Sequence, residues 1–186
     1  LKHSTELCNK VTGKGGFVKQ ELYCQLIRPL FGGIAIALSG HCGVINSLWS
    51  NTNSILTLDR FHMGGPNSLR GFQTNSLGPR DKDDCLGGKY ISESGIQLSF
   101  PFSEATNKVV RGHLFFNAGI LSDRLLPITS MKDHMHSSVG CGLGANLGGI
   151  RLELNACYPL PSQSQTNLNT ASNGPSVQVG IGMDFL

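Results

Sequence analysis

The sequence has few charged residues and no long apolar segment. Asp, Glu, Lys and Arg make up 15% of the 186 residues, against about 25% in an average soluble domain. The net charge is only +3. A disordered chain would have a high net charge, and a nucleic-acid-binding surface would have runs of basic residues, so both classes are disfavoured. The most apolar segment, residues 29–45, contains four glycines. It is therefore a poor transmembrane helix, which needs about 20 mostly apolar residues.

Motifs of enzymes and metal sites are also missing. The six cysteines include no CxxC pair, and their loose spacing favours free thiols used as small apolar residues over a disulfide framework. No nucleophile elbow or phosphate-binding loop occurs, and the Gly140–Ala145 dinucleotide-like run lies inside a strand pattern. We place His134 and His136 in a solvated loop. We therefore expect no enzyme activity, no cofactor, no metal and no nucleic-acid partner.

Glycine is abundant, at 24 residues, and it recurs within segments in which apolar residues alternate with small or polar ones. A period of two predicts strands. About seven strands are predicted, within residues 17–28, 34–44, 94–102, 110–120, 138–147, 150–158 and 177–185. Strands of roughly ten residues cross a bilayer, whereas soluble strands average about five or six. This pattern favours an all-β transmembrane antiparallel barrel over a soluble β-sandwich binding module, which remains an alternative.

The alternation also predicts which side chains face lipid and which face the barrel interior. Leu98, Leu114, Leu143, Leu152 and Ile181 are predicted to face lipid, and Gln97, Asn117, Asn146, Glu153 and Gln178 the interior. Phe115 breaks the alternation, because it falls on the polar side. Short turns at residues 102–108 and 147–149 alternate with longer connections at 122–135 and 159–175, and we expect no helix between the strands. The longest connection, residues 46–88, is unusually long for a loop without secondary structure, so we expect it to have a function.

An ordered motif lies in this long loop. It reads RF-x-x-GGP-x-S-x-RGF over residues 60–72, then S-x-GP at 76–79 and LGG at 86–88. This order resembles the inward-folding sixth loop of the BamA-type outer-membrane assembly factors, the bacterial surface antigen domain. The residues within the motif resemble those of the mitochondrial branch of this group, the core barrel subunits of the sorting and assembly machinery (SAM). The C-terminal residues match the mitochondrial polar-x-Gly-x-x-apolar-x-apolar sorting signal at Gln178, Gly180, Met183 and Phe185.

The resemblance implies a barrel of sixteen strands behind a POTRA domain, of which residues 1–186 form the C-terminal portion. The chain begins with Leu1 rather than Met, so we expect it to be part of a longer product, and its first residues show no signal-peptide pattern. The implied function is insertion of β-barrel precursors into the mitochondrial outer membrane through a lateral seam. The implied partners are porin-like precursors, metaxin-type accessory subunits and membrane lipid. A passive outer-membrane channel or polypeptide-translocation pore of the same fold is the alternative.

The resemblance also implies roles for individual residues. The tip held in the barrel is Arg70, Gly71 and Phe72, and its support is Gly64, Gly65 and Pro66. Acidic residues hold the matching arginine in bacterial relatives, and by alignment their places fall on Gln97 and Asn117, which are neutral. Glu93 and Glu153 are the remaining candidate acids on the interior face. Gln178, Gly180, Met183 and Phe185 would carry the sorting-type signal and line the seam.

Overall fold

The chain forms one large antiparallel sheet in its computed structural model, which describes residues 1–8, 16–48, 55–82, 84–101, 110–147, 150–161 and 174–183. The strands in chain order are β1 (Lys2–Cys8), β2 (Phe17–Pro29), β3 (Ala35–Ser47), β4 (Arg80–Asp81), β5 (Asp84–Cys85), β6 (Tyr90–Pro101), β7 (Val110–Ser122), β8 (His136–Leu147), β9 (Ile150–Leu160) and β10 (Ser176–Met183). The eight-stranded sheet has the order β1-β2-β3-β6-β7-β8-β9-β10, and β4 and β5 form a separate hairpin.

The large sheet is an antiparallel meander in which consecutive strands pair, except that β3 pairs with β6 across the loop that carries the β4–β5 hairpin. The β8–β9 register runs from Ser137 opposite Leu160 to Leu147 opposite Ile150. Within the described residues, each predicted alternating segment lies on a strand apart from Ile34, which precedes β3, so the all-β prediction is confirmed. The predicted turns at residues 102–108 and 148–149 and most of the loop after Pro159 lie outside the described residues. Among the described residues, no helix has the length and apolarity to cross a bilayer.

The prediction of helix-free connections is wrong. A short helix, α1 (Ile128–His134), lies between β7 and β8, and 3-10 turns occupy Phe31–Gly33 and Thr57–Asp59. Pro127 precedes the first helical residue in an extended conformation, and Lys132 and His134 lie in the last turn. Cations there interact favourably with the helix dipole. At seven residues, α1 is too short to produce a periodic apolar pattern that sequence reading could find.

The two faces of the sheet differ in polarity. Large apolar side chains between 39% and 72% exposed cover the outer face: Leu22, Leu26, Leu38, Ile96, Leu114, Phe116, Leu143, Leu147, Leu154, Tyr158, Val177, Val179 and Ile181. The opposite face, here called the inner face, contacts the long loop between β3 and β6. An apolar outer face of this extent is typical of strands that contact lipid.

The buried core lies between the inner face and the long loop. Six of its residues come from the loop and four from strands: Ile55, Phe61, Met63, Leu69, Phe72 and Leu77, with Phe17, Ile45, Ile91 and Leu121. Backbone bridges join Phe61 to Gly88 and Met63 to Leu77. The described part of the loop therefore packs as part of the fold.

Candidate functional site

The Gly-Gly-Pro segment reverses the direction of the long loop. Gly64 has φ +112°, and a side chain there would collide with the carbonyl oxygen of Gln73. The N–H of Gly65 donates to Leu69 O at 3.2 Å, and the N–H of Gly64 donates to Ser68 Oγ at 3.3 Å. Only glycine tolerates this backbone without strain. The turn directs the tip, defined as Arg70, Gly71 and Phe72, towards β8, β9 and β10.

The tip backbone binds side chains of two strands. The N–H of Gly71 donates to Gln178 Oε1 at 2.9 Å, and Gln178 Nε2 donates to Phe72 O at 2.7 Å. Ser138 Oγ donates to Arg70 O at 2.5 Å. At Gly71, where φ is +90°, a Cβ would lie 3.1 Å from Ser138 Cβ and 3.3 Å from Cys157 Cβ. The missing side chain at Gly71 is what allows this close approach.

The Arg70 side chain binds an acid of β9. Its Nη2 donates to Glu153 Oε2 at 3.0 Å, and its guanidinium carbon lies 4.8 Å from the centre of the Phe115 ring. Arg151 forms an ion pair with the other carboxylate oxygen of Glu153. Asn155 Nδ2 donates to Glu153 Oε2 at 3.2 Å, and Asn155 Oδ1 accepts a hydrogen bond from His113 Nε2 at 2.7 Å. The charge of Glu153, which is 8% exposed, is thus compensated by two arginines.

A second network of polar side chains, on β2, β3 and β6, contacts the loop. The Ser68 hydroxyl donates to Glu93 Oε1. His41 lies between two carboxylates, with Nδ1 3.0 Å from Glu93 Oε2 and Nε2 3.2 Å from Glu21 Oε2. The Tyr23 ring stacks on His41 with a centroid distance of 4.1 Å. Of the two acids left as candidates by the sequence, Glu153 therefore binds Arg70 and Glu93 binds Ser68.

The remaining predicted residues take several positions. Gln97, Asn117 and Asn146 line a polar inner cavity of about 380 Å³ with Arg70, and Arg70 takes Glu153 rather than the amides as its partner. Phe72 is 2% exposed, and its ring meets His136 edge-on at 5.8 Å. The prediction of a solvated loop is wrong for His136, which begins β8 and is 7% exposed. Pro66 lies against Gly180, where a Cβ would be 3.3 Å from Pro66 Cβ. The backbone of Met183 pairs with Ile150 in the β9–β10 ladder. Phe185 lies outside the described residues.

Sequence reasoning missed four residues of the site: Phe115, Ser138, Arg151 and Asn155. Phe115 carried a signal, because it is the one large aromatic on the polar side of its strand. The other three resemble ordinary polar residues of an inner face, and nothing local distinguishes them. Within the described ranges, no group of three or more His, Cys, Asp or Glu could hold a metal ion.

A long antiparallel meander with an apolar outer face and an inward-folding loop is typical of outer-membrane β-barrels, and the chain belongs to the Omp85 superfamily, whose domain matches residues 2–185. The chain is 31% identical over 198 residues to the human sorting and assembly machinery component 50 homolog, covering 100% of the chain and 41% of that protein. A SAM50-like protein of Schizosaccharomyces pombe is 32% identical over 182 residues, covering 94% of the chain and 37% of that protein. The resemblance found in the loop motif is thereby confirmed.

The fold has a solved counterpart in BamA from Haemophilus ducreyi lacking POTRA domains 1–3. The TM-score is 0.64 at 20% identity, over 92% of this chain and 35% of that one. At this identity the likeness concerns the fold alone. The chain spans about two fifths of the length of the curated relatives, 41% of the human protein. The eight-stranded sheet is accordingly part of an outer-membrane barrel, and it does not close on itself.

Proposed function

We propose that the full-length protein folds β-barrel precursors and inserts them into the mitochondrial outer membrane through a lateral seam. In that protein this chain supplies the last eight strands of a sixteen-stranded barrel that follows a POTRA domain. Its substrates are unfolded porin-like precursors, and its partners are metaxin-type accessory subunits and membrane lipid. Similarity to proteins named as sorting and assembly machinery components supports this assignment.

The observation that carries the proposal is the contact of the loop tip with β10. Among the described strands, β10 pairs with β9 alone, so its other edge is open. In the complete barrel this edge would meet the first strand and form the seam. Gly180 and Gly182 present no side chains to a neighbouring strand, which weakens a strand locally. A strand that pairs weakly with its neighbour and binds an inner loop suits a seam whose opening depends on that loop.

The exchange at the seam needs backbone pairing only. An open edge of β10 or of the first strand can accept an extended precursor segment by β-augmentation. A precursor strand with the same polar-x-Gly-x-x-apolar-x-apolar pattern would keep the apolar side towards lipid. One ladder of backbone hydrogen bonds replaces another, so the step requires no nucleotide and no catalytic side chain.

A disulfide across the seam tests the proposal in the full-length protein. We choose Gly182→Cys, paired with a cysteine in the first strand, because a Cβ at Gly182 meets no atom within 4 Å, whereas one at Gly180 presses on Pro66. The native cysteines are first replaced, since free thiols are present at Cys24, Cys42, Cys85, Cys141 and Cys157. Oxidation should block porin insertion, and reduction should restore it. The Gly182→Cys single variant, oxidised in the same way, is the control.

The locked protein also distinguishes the proposed insertase from the alternative, which is a passive channel or translocation pore. The polar cavity of about 380 Å³ beside the loop is the observation that suits a pore. A pore would conduct ions equally well with the seam locked or reduced in a planar bilayer, and porin assembly would not depend on the lock. Normal porin assembly by the oxidised protein would contradict release through this seam.

A further inference from the structure

A groove of about 450 Å³ lies on the outer face of the sheet. Its floor consists of outer-face side chains from β2, β3, β6 and β7: Leu22, Cys42, Val44, Ser92 and Ile120. Cys42 lies opposite both Leu22 and Ser92, and Ser92 lies opposite Ile120, so these side chains form a continuous surface across the strands. The volume lies in the range of about 300–1,000 Å³ that is typical of small-molecule sites.

The connection between β7 and β8 forms one wall of the groove, which is lined by Leu125, Leu126 and Met131. Two polar contacts fix the start of this connection. Ser122 Oγ donates to Arg124 O at 2.7 Å, and Arg60 Nη1 of the long loop donates to Asp123 Oδ1 at 3.2 Å. The wall is therefore anchored at the end of the strands, and its apolar side chains lie on the outer side of the sheet.

The groove suits an apolar occupant. The thiol of Cys42 and the hydroxyl of Ser92 lie 3.8 Å apart and pair with each other, so the polar atoms of the floor need no polar ligand. Leu22 on the floor and Leu125 on the wall are 42% and 79% exposed. Contiguous apolar surface of this kind marks an interaction site, because burying it is favourable.

The position of the groove selects lipid as the occupant. β6 begins at Tyr90 and β7 ends at Ser122, and both residues line the groove. The groove therefore lies at the strand ends on the side of the long loop, where the apolar face of a barrel meets the headgroup region, and tyrosine is enriched at that level. The floor continues into Leu38 and Ile96 of the lipid-contacting outer face, so acyl chains reach it directly.

We propose that the groove binds one acyl chain of a phospholipid from the leaflet on the side of the long loop. The chain packs on the floor and holds the wall against the sheet, which stabilises the connection that carries α1. Arg124 and Lys132 are exposed and directly neighbour the wall residues Leu125 and Met131. Long cationic side chains extend to the headgroup level, so these two can contact the phosphate of the bound lipid. The inference depends on the outer-membrane location and not on the proposed insertion of precursors.

The binding is tested with the full-length protein in phosphatidylcholine vesicles, in which a trace of the lipid carries a diazirine in one acyl chain. Irradiation attaches the lipid to neighbouring side chains, and mass spectrometry locates it. Label per residue should be several-fold higher on the floor and wall than at Leu143 and Leu154, which are 43% and 50% exposed elsewhere on the outer face. Label spread evenly over the outer face would overturn the inference, since it would show contact with bulk lipid only.

Two pairs of variants give matched comparisons. Cys42→Phe fills the floor, whereas Cys141→Phe adds the same ring at an exposed outer-face thiol of β8. Leu125→Ser removes part of the wall, whereas Leu58→Ser changes a leucine of the long loop that is 89% exposed. Both serine variants lie outside the strands, so their comparison stands even if Cys42→Phe fails to insert. Cys42→Phe and Leu125→Ser should reduce the label on Met131 several-fold and their controls should not; undiminished label in Leu125→Ser would overturn the inference.

The effect on the wall is measured by proteolysis. In detergent freed of phospholipid, trypsin should cleave after Arg124 and Lys132 several-fold faster than after phosphatidylcholine is added back. The Leu125→Ser protein should not respond to the lipid. Equal cleavage of the unsubstituted protein with and without phosphatidylcholine would contradict a lipid that holds the wall.

A diazirine analogue of leucine at position 125 distinguishes lipid from a protein partner. In native membranes its adducts should be phospholipid, because the wall faces the bound acyl chain. Adducts formed mainly with another protein would overturn the inference and identify the groove as a protein-docking surface.

Discussion

Arg70→Ala should detach the loop tip from β9 without unfolding the barrel. The substitution removes the hydrogen bond to Glu153 at 3.0 Å and the contact of the guanidinium with the Phe115 ring at 4.8 Å. A hydrogen bond to a charged group contributes about 1.5–3 kcal/mol and a cation–π contact about 1 kcal/mol. Glu153 keeps Arg151 and Asn155 as partners, so no isolated buried charge adds to the cost. We expect a loss of roughly 2.5–4 kcal/mol in loop docking.

The effect is measured as the rate of proteolytic cleavage within the loop and the rate of porin assembly by the full-length protein. A loss of this size permits an increase in loop opening of roughly 60- to 700-fold, since about 1.4 kcal/mol corresponds to a factor of ten. Porin assembly should slow, while the amount of inserted protein should not change, because the strands and the rest of the loop core are untouched. Arg70→Lys should recover part of the docking, since it keeps the charge and loses the planar fork.

Arg60→Ala is the matched control on the same loop. Arg60 Nη1 lies 3.2 Å from Asp123, whose side chain is 39% exposed, so the pair has access to water. An ion pair of that kind contributes about 0–1 kcal/mol. If Arg70→Ala opens the loop no more than Arg60→Ala does, or if assembly proceeds at the normal rate while the loop is cleaved rapidly, the reasoning about Arg70 is refuted.

Three further predictions concern the second loop contact, lipid exposure and inner-face packing. Ser68→Ala should raise loop cleavage by less than Arg70→Ala does. The double variant should show the sum of the two effects on the free energy of loop opening, because the two contacts lie on different strands. Strong non-additivity would contradict separate contacts. Leu154→Arg on the outer face should cost about 2–4 kcal/mol in a membrane-unfolding measurement, and a neutral result would reverse the assigned facing. Gly140→Ala should lower the thermal midpoint, because the added Cβ collides with the Phe115 ring and Ala156 O; an unchanged midpoint would show that Phe115 moves freely.

Strand positions and facing could be predicted from the sequence because both depend on a local repeat. Side chains of a strand alternate between faces, so apolar and small residues in alternation locate β6 to β10 without knowledge of any partner. Leu114 and Leu143 are 49% and 43% exposed on the outer face, as predicted, while Asn117 is 8% exposed on the inner face. The helix α1 was missed because seven residues leave no periodic signal, and its position depends on the connection between β7 and β8.

The loop motif likewise marked the tip in the sequence. An arginine before a glycine and an aromatic residue, after a Gly-Gly-Pro turn, identified Arg70, Gly71 and Phe72 as the segment that folds inward. The turn is local chemistry, since Gly64 and Gly65 adopt positive φ and Pro66 follows them. The family resemblance added that this segment enters the barrel, and Glu93 and Glu153 were left as equal candidates for the arginine.

The tertiary structure alone decided which residues bind the tip. Arg70 and Glu153 are 83 residues apart, and Gly71 and Gln178 are 107 apart. Their meeting depends on the register of β8, β9 and β10 and on the depth at which the loop core packs against β6 and β7. A one-residue shift of any of these strands would turn the partner to the other face. Alternation depends only on residues that are close together in the chain, so the sequence shows it directly. The contact between the loop and three strands depends on the register of every strand pair between them, and no local sequence pattern specifies that register.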